Sequence, residues 1–216
     1  MKRMLVALLL GFALVSPSIQ AADAIGSAFG CLNTAESIGQ GRGDLNFSVG
    51  LADATSFVGF FRYGLSKYTD GRIKLGLVDS DGSDAKFTIG ADFNWQFITV
   101  NADSNHTVDL STGGLMEFVD FDGASVFQIG GHMTGSIPIR LKGGGKLSPY
   151  ARINARLEQI SLDLPPNASG DDSETSLKLG FNGGVKWRMN SELSLLAEFQ
   201  LDGNDGLFLG IDYRVM

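Results

Sequence analysis

The chain has 216 residues, 29 of them Gly, with 24 acidic against 17 basic side chains and a net charge of −7. This balance excludes nucleic acid as the partner, because phosphate binding needs clustered Lys and Arg. The one cysteine, Cys31, excludes an internal disulfide and lies too far beyond the first apolar run to carry a lipid anchor.

Residues 1–24 read as a signal peptide. Lys2 and Arg3 open it, the apolar run "MLVALLLGFALV" follows, and Pro17 and Ser18 break that run. The small residues of "AADA" then offer cleavage after Ala21 or Ala24. The run is too short to cross a bilayer as a helix, and no later run is long enough. Residues 25–43 are Gly-rich and carry no clear period, with at most a helical turn near "NTAES".

Residues 44–216 alternate with period two and break at turn-like residues. Ten segments follow: Asp44–Leu51, Ser56–Ser66, Arg72–Asp79, Lys86–Phe97, Thr107–Val119, Val126–Pro138, Tyr150–Leu162, Ser176–Met189, Leu193–Asp202 and Gly206–Met216. Most match the roughly 9–11 residues that a tilted strand needs to cross a bilayer. One parity is apolar throughout, with Phe47, Phe57, Ile73, Leu75, Phe87, Ile89, Ile153, Leu177, Leu179 and Leu209 among its members. The other carries Arg62, Glu117, His132, Arg152, Arg156, Glu158, Lys178, Lys186, Arg188, Glu198, Asp212 and Arg214. Lys74, Lys86, Asp92, Asp109 and Asp202 join them, with Gly, Asn and Gln between. Asp70 is assigned to the connection before the third segment, and Arg72, the first residue of that segment, is counted with the same rim.

The expected fold is therefore all-β: a closed antiparallel up-and-down transmembrane β-barrel of about 10 strands, with the apolar parity against lipid. The apolar face is too bulky for the inside of so small a barrel. Its Tyr63, Trp95, Trp187 and Tyr213 all fall near the ends of even-numbered segments, which share one rim and would form an aromatic girdle there. An even strand count puts both ends of the barrel on that rim. Residues 25–43 are then expected as an N-terminal arm on the periplasmic side or as a plug in the lumen.

The signal "MLVALLLGFALV…AADA", the ten alternating segments and the terminal "LGIDYRVM" resemble the small bacterial outer-membrane β-barrel (porin-like) proteins. The ending is similar to their C-terminal assembly signal, on Gly210, Tyr213 and Val215, although Val215 holds the place where an aromatic usually closes the pattern and Met216 follows it. The resemblance implies the bacterial outer membrane, reached across the inner membrane by a cleaved signal peptide. It also implies outer-membrane lipid, lipopolysaccharide, periplasmic chaperones and the barrel assembly machinery as partners. It sets no finer function.

Three functional classes are weighed. The first is a structural barrel or a narrow channel for small solutes or ions. In that class the charges around Arg152, Arg156 and Glu158, with Glu117, His132, Lys178 and Lys186 on the neighbouring strands, either pack the lumen or select among solutes. Inward glycines are expected to leave the space. The second is a surface adhesin or receptor acting through the outer connection 163–175. The third, a lumenal or rim hydrolase, has only His106 in a connection and His132 with Ser136 in mid-lumen, so no enzyme and no catalytic residue is expected. No cofactor loop is present. "DSDGSD" lacks the acidic ligand a calcium loop needs at its twelfth position, which is Gly90, so no metal is expected within the fold. Asp recurs in the connections of the outer rim, either as a hairpin residue or to share divalent cations with anionic head groups.

Overall fold

The computed structural model describes residues 26–80, 84–101, 107–121, 123–162 and 173–216. The signal segment 1–24, the centre of Asp79–Asp84, His106 and most of the outer connection 163–175 lie outside the described residues. No helix occurs among the described residues, and the "NTAES" stretch forms bends only.

The described residues form eleven strands: β1 (Gly43–Ala52), β2 (Ala54–Gly64), β3 (Thr69–Ser80), β4 (Lys86–Asn101), β5 (Thr107–Phe121), β6 (Ala124–Ser136), β7 (Ile139–Arg140), β8 (Lys146–Leu162), β9 (Ser173–Arg188), β10 (Leu193–Leu201) and β11 (Gly206–Arg214). Ten of them close a barrel. The two-residue β7 only extends the ladder on β8, and β6 pairs directly with β8. Every neighbouring pair is antiparallel, and the seam joins β1 to β11 from Asp44↔Arg214 to Ala52↔Gly206. Met216 continues that seam: Gly43 N–H donates to its carbonyl at 3.2 Å, and the N–H groups of Val215 and Met216 donate to the Gly43 carbonyl. The segments expected from alternation are present, but several run longer. β4, β5, β8 and β9 have 15–17 residues and extend beyond what a bilayer requires. A bulge between Gln96 and Ile98 breaks the register of β4 on β5.

The direction of the two faces decides what the barrel sits in. Phe47 is 66% exposed, Phe57 60%, Leu177 67% and Leu179 68%, and the same parity is exposed on every barrel strand. Inward lie Lys74, Arg156, Glu158 and Glu198, each at most 1% exposed. A barrel dissolved in water buries its apolar parity and wets its charges. The reverse arrangement is stable only with hydrocarbon around it, so this is a transmembrane barrel. Hydrocarbon also explains the closure, since no open strand edge can hydrogen-bond there.

Two assignments need correction. Asp70 does not belong to a connection, and Arg72 does not stand at a strand's edge. They lie in β3, point inward and are buried, because Thr69–Gly71 adds to the ladder opposite Trp95, Asn94 and Phe93. The inward parity is also not wholly polar. Val58, Phe60, Val78, Val119, Leu196 and Phe208 form an apolar cluster inside.

Replacing Leu75, in the middle of β3 and facing outward, by Arg should cost about 2–4 kcal/mol in lipid bilayers. Reversible urea unfolding in vesicles measures it. A near-zero cost would mean that Leu75 faces water.

Candidate functional site

Inside the barrel, glycines and long side chains alternate along the hydrogen-bonded rows. Lys74, Gly90 and Glu117 face one another on β3, β4 and β5. Tyr150, Gly184 and Glu198 do so on β8, β9 and β10. Asn94, Gly113 and His132 repeat the arrangement on β4, β5 and β6. With no side chain on the middle strand, the outer two meet across it: Lys74 Nζ lies 2.9 Å from Glu117 Oε1, and Tyr150 OH donates to Glu198 Oε2 at 2.6 Å. Over Gly180 lie Asn154 and Asp202, and Arg156 reaches Asp202 at 3.0 Å. The inward glycines, expected from sequence to leave space, do not leave an open path. Each is covered by a neighbour: Phe208 over Gly50, Phe29 over Gly90, Arg156 over Gly130 and Tyr150 over Gly184.

Buried charge demands partners, and the inward charges are joined in pairs and in one chain of four, Arg72, Asp92, Lys74 and Glu117. Arg62 binds Asp70 through Nε at 2.7 Å. Arg72 is paired with Asp92 through two donors, and Lys74 bridges Asp92 and Glu117. Lys186 is paired with Asp212, and Arg214 with Asp44. Arg156 also donates to Asn154 and to the Asp202 carbonyl, while Glu158 accepts from Gln128 at 2.8 Å. Lys178 is buried beside Arg156, and Arg188 is partly exposed at the rim. His132 is buried, and its Nδ1 has no hydrogen-bond partner among the described residues. Asp44, Asp70, Arg72, Lys74, Asp92 and Asp202 all enter pairs that the sequence reading did not assemble. Their shared parity was a visible signal, but the pairing depends on register.

Residues 26–38 run through this lumen. Call the rim that holds Gly43 and Met216 the terminal rim, and its opposite the far rim. At the far rim the Gly26 carbonyl accepts from Gln128, and the Ser27 carbonyl accepts from Gln200 and Asn204. Ser27 Oγ donates to Glu117 at 2.8 Å. Phe29, fully buried, packs against Phe60 with ring centroids 6.2 Å apart and sits in the inward apolar cluster. Midway, Glu198 accepts the consecutive backbone N–H groups of Cys31 and Leu32 at 2.6 and 2.7 Å, and Arg72 donates to the Cys31 carbonyl. Toward the terminal rim, Ala35 N–H donates to Ser136, Ser37 N–H to Gln96, and Arg62 to the Glu36 carbonyl. The Glu36 carboxylate is paired with Lys146. Gly41 N–H then donates to the Gly64 carbonyl, where the segment leaves the lumen.

Two charges depend on this segment. Glu198 has no cation in ion-pair contact among the described residues. Four donors hold it, from Cys31, Leu32, Tyr150 and Asn182, and two of these are segment backbone. Successive N–H groups converging on one anion form a nest. The nest requires left-handed backbone, and Leu32 adopts it at φ 41°, the only such non-glycine among the described residues. Arg152, 4% exposed, lies near Cys31; its Nε has no hydrogen-bond partner and it has no carboxylate in ion-pair contact among the described residues. Two cavities beside the segment measure about 10 Å³ each, room for one water apiece. One is bordered by Leu32, Asn33 and Arg72, the other by Gly30, Arg152 and Arg156.

Tyr63, Trp95, Trp187 and Tyr213 are 39–49% exposed on the outward face. Gly43↔Tyr63, Thr69↔Trp95, Leu147↔Trp187 and Leu45↔Tyr213 place them beside strand ends at the terminal rim. Gly210 lies opposite Ser48 on the inner face, and Tyr213 and Val215 face outward at the seam.

No family model matches the sequence, and no curated protein does. Among solved structures, the N-terminal β-barrel domain of OprF from Pseudomonas aeruginosa matches with 12% identity over 82% of this chain and 98% of that one, with a TM-score of 0.40. The KdgM porin matches with 7% identity over 79% and 98%, TM-score 0.35. Ail, the attachment invasion locus protein of Yersinia pestis, matches with 14% identity over 80% and 99%, TM-score 0.33. These are outer-membrane β-barrels. At such scores the membrane assignment rests on the outward apolar belt, not on them.

Gly184→Ala should destabilise the barrel by about 1–3 kcal/mol in urea unfolding, because a Cβ there would sit 2.6 Å from the Tyr150 ring and 2.7 Å from the Ala197 carbonyl oxygen. Gly59→Ala, outward with nothing nearer than 3.8 Å, should change little. At the terminal rim, burial pushes the Glu36 carboxyl up, but Lys146 outweighs it and holds the group below the usual carboxylate range. The anchoring is therefore complete above the ordinary carboxylate pKa and is lost as pH falls through and below it. Amide exchange at Ser37 and Gly39 should quicken in acid relative to mid-barrel amides, and Glu36→Gln should remove that dependence.

Proposed function

We propose that the chain is a bacterial outer-membrane barrel forming a narrow channel for small ions or solutes, closed at rest by its own residues 26–38. One observation carries this reading: the segment is held along the whole lumen by inward side chains, and the cavities beside it admit single waters. A purely structural barrel of this size could fill itself with side chains alone. Here Glu198 and Arg72 instead reserve part of their bonding for a segment that is not a wall strand. The N-terminal signal pattern, the apolar belt and the even number of strands support the outer membrane as its location. The terminal rim then faces the periplasm and the far rim faces outward.

Planar-bilayer recording tests it. Wild-type protein should be silent or open only briefly. Glu198→Gln should raise the open fraction at least tenfold, by loosening bonds of the charge-assisted class. Deleting residues 26–38 should give steady single-channel steps. Heat-modifiable gel migration confirms that each variant has folded. Steady conductance from wild type would overturn the closed state. Silence from a folded deletion variant would leave a structural barrel.

A further inference from the structure

The inner face of the wall is unevenly charged. From Lys146 to Arg156 on β8, and from Gly180 to Arg188 on β9, every inward residue is a cation or neutral. The cations are Lys146, Arg152, Arg156, Lys186 and Arg188. Their ion-pair partners among the described residues come from other parts of the chain. Asp212 of β11 pairs with Lys186, and Asp202, between β10 and β11, pairs with Arg156. Lys146 is paired with Glu36, which belongs to the threaded segment and not to the wall. Arg152 and Arg188 have no ion pair with a described residue.

Three of the inward cations stand side by side at the terminal rim. Arg140 is in register with Lys146, and Lys146 with Arg188, so all three share the inward face at the mouth of the lumen. The Glu36 carboxylate is set against them. Burial alone would push its carboxyl up, but Lys146, then Arg188 and Lys186, hold it below the usual carboxylate range. One carboxylate thus faces more cations than it can pair. The contact is open to solutes: the Lys146 side chain is 18% exposed and that of Glu36 32%, and Arg140 is exposed. The group held at this mouth is a carboxylate, supplied by a segment that is no part of the wall.

We propose that the terminal-rim mouth is a binding site for small dicarboxylates, with Glu36 as its tethered occupant. One carboxylate of the solute takes the place of Glu36 on Lys146, and the other reaches Arg188 or Arg140. The guanidinium fork suits that second contact, because it matches a carboxylate through two parallel hydrogen bonds. A solute that takes the site removes the rim anchor of residues 26–38, so binding also loosens the segment. Beyond the mouth such a solute meets Lys186 and then Arg152. Glu198, in register with Gly184, is the acid of β10 beside this stretch, and Tyr150 and Asn182 hold it. Passage of the bound solute through the lumen rests on the channel reading; the site itself does not.

Succinate is the probe, titrated into protein in detergent micelles while the amide shifts of Lys146 and Arg188 are followed, with sodium chloride of equal ionic strength as control. Glu36→Gln, which frees the cations, should bind succinate saturably. Wild type should bind it about tenfold more weakly, because its own carboxylate leaves the site free only about a tenth of the time. Adding Lys146→Gln and Arg188→Gln to Glu36→Gln should abolish saturation. In wild type, succinate should also quicken amide exchange at Ser37 and Gly39 where chloride does not. Heat-modifiable migration confirms that each variant has folded. Equal affinity in wild type and Glu36→Gln, no saturation in either, or an equal response to chloride overturns the site. Should Glu36→Gln not fold, the wild-type exchange decides alone, and no quickening specific to succinate overturns the site. Conductance is read separately, so succinate bound to a barrel that never conducts retires the channel and keeps the site.

Discussion

Every backbone group within hydrocarbon needs a hydrogen-bond partner from the protein itself, and the rest of this structure follows from meeting that demand with ten strands. The seam between β1 and β11 leaves no open edge, down to Gly43 and Met216. A ring so small has a lumen only a few side chains wide. The polar parity is turned into that lumen, so its charges leave bulk water and must find partners inside. The alternation of glycine with long side chains is the solution: Lys74 and Glu117 meet over Gly90, and Tyr150 and Glu198 over Gly184. Pairs form between strands that are not neighbours, which ties the wall together across its own rows.

The same crowding explains the threaded segment. Residues 26–38 contribute backbone more than side chains, and backbone offers both donors and acceptors. Glu198 takes two N–H groups and Arg72 takes a carbonyl, so one segment answers charges of both signs. Phe29 fills the apolar pocket left by Phe60, Val78 and Phe208. The left-handed Leu32 costs about 1 kcal/mol or more, which the nest around Glu198 offsets. Removing a partner from a buried charge costs several kcal/mol, so the segment is a structural element of the closed lumen as well as its obstruction.

Much of the wall was legible in the sequence, because period two survives any uncertainty about register. Phe47 and Trp187 face out and Glu198 and Lys186 face in for the same reason: parity alone decides it. What parity cannot tell is which residues meet. Arg72 and Asp92 are opposite each other only through the register of β3 on β4, and "TDG" ahead of Arg72 imitates a turn although it continues the strand. The inward Phe60 and Phe208 violate the polar pattern because they pack on Phe29, a residue in a stretch with no period at all. The glycines were misread for a related reason: a missing side chain counts as space in a sequence, but here side chains of the adjacent strands and of the threaded segment occupy it.

Cys31 gives the closed lumen its most direct test. It is 1% exposed, sits midway along the threaded segment and is the one thiol of the chain. Protein refolded into lipid vesicles should leave this thiol unmodified by a water-soluble maleimide over hours, and should take up one equivalent when unfolded in urea. Stoichiometric labelling of the folded, bilayer-inserted protein within minutes would show that residues 26–38 do not occupy the lumen, and would contradict the account.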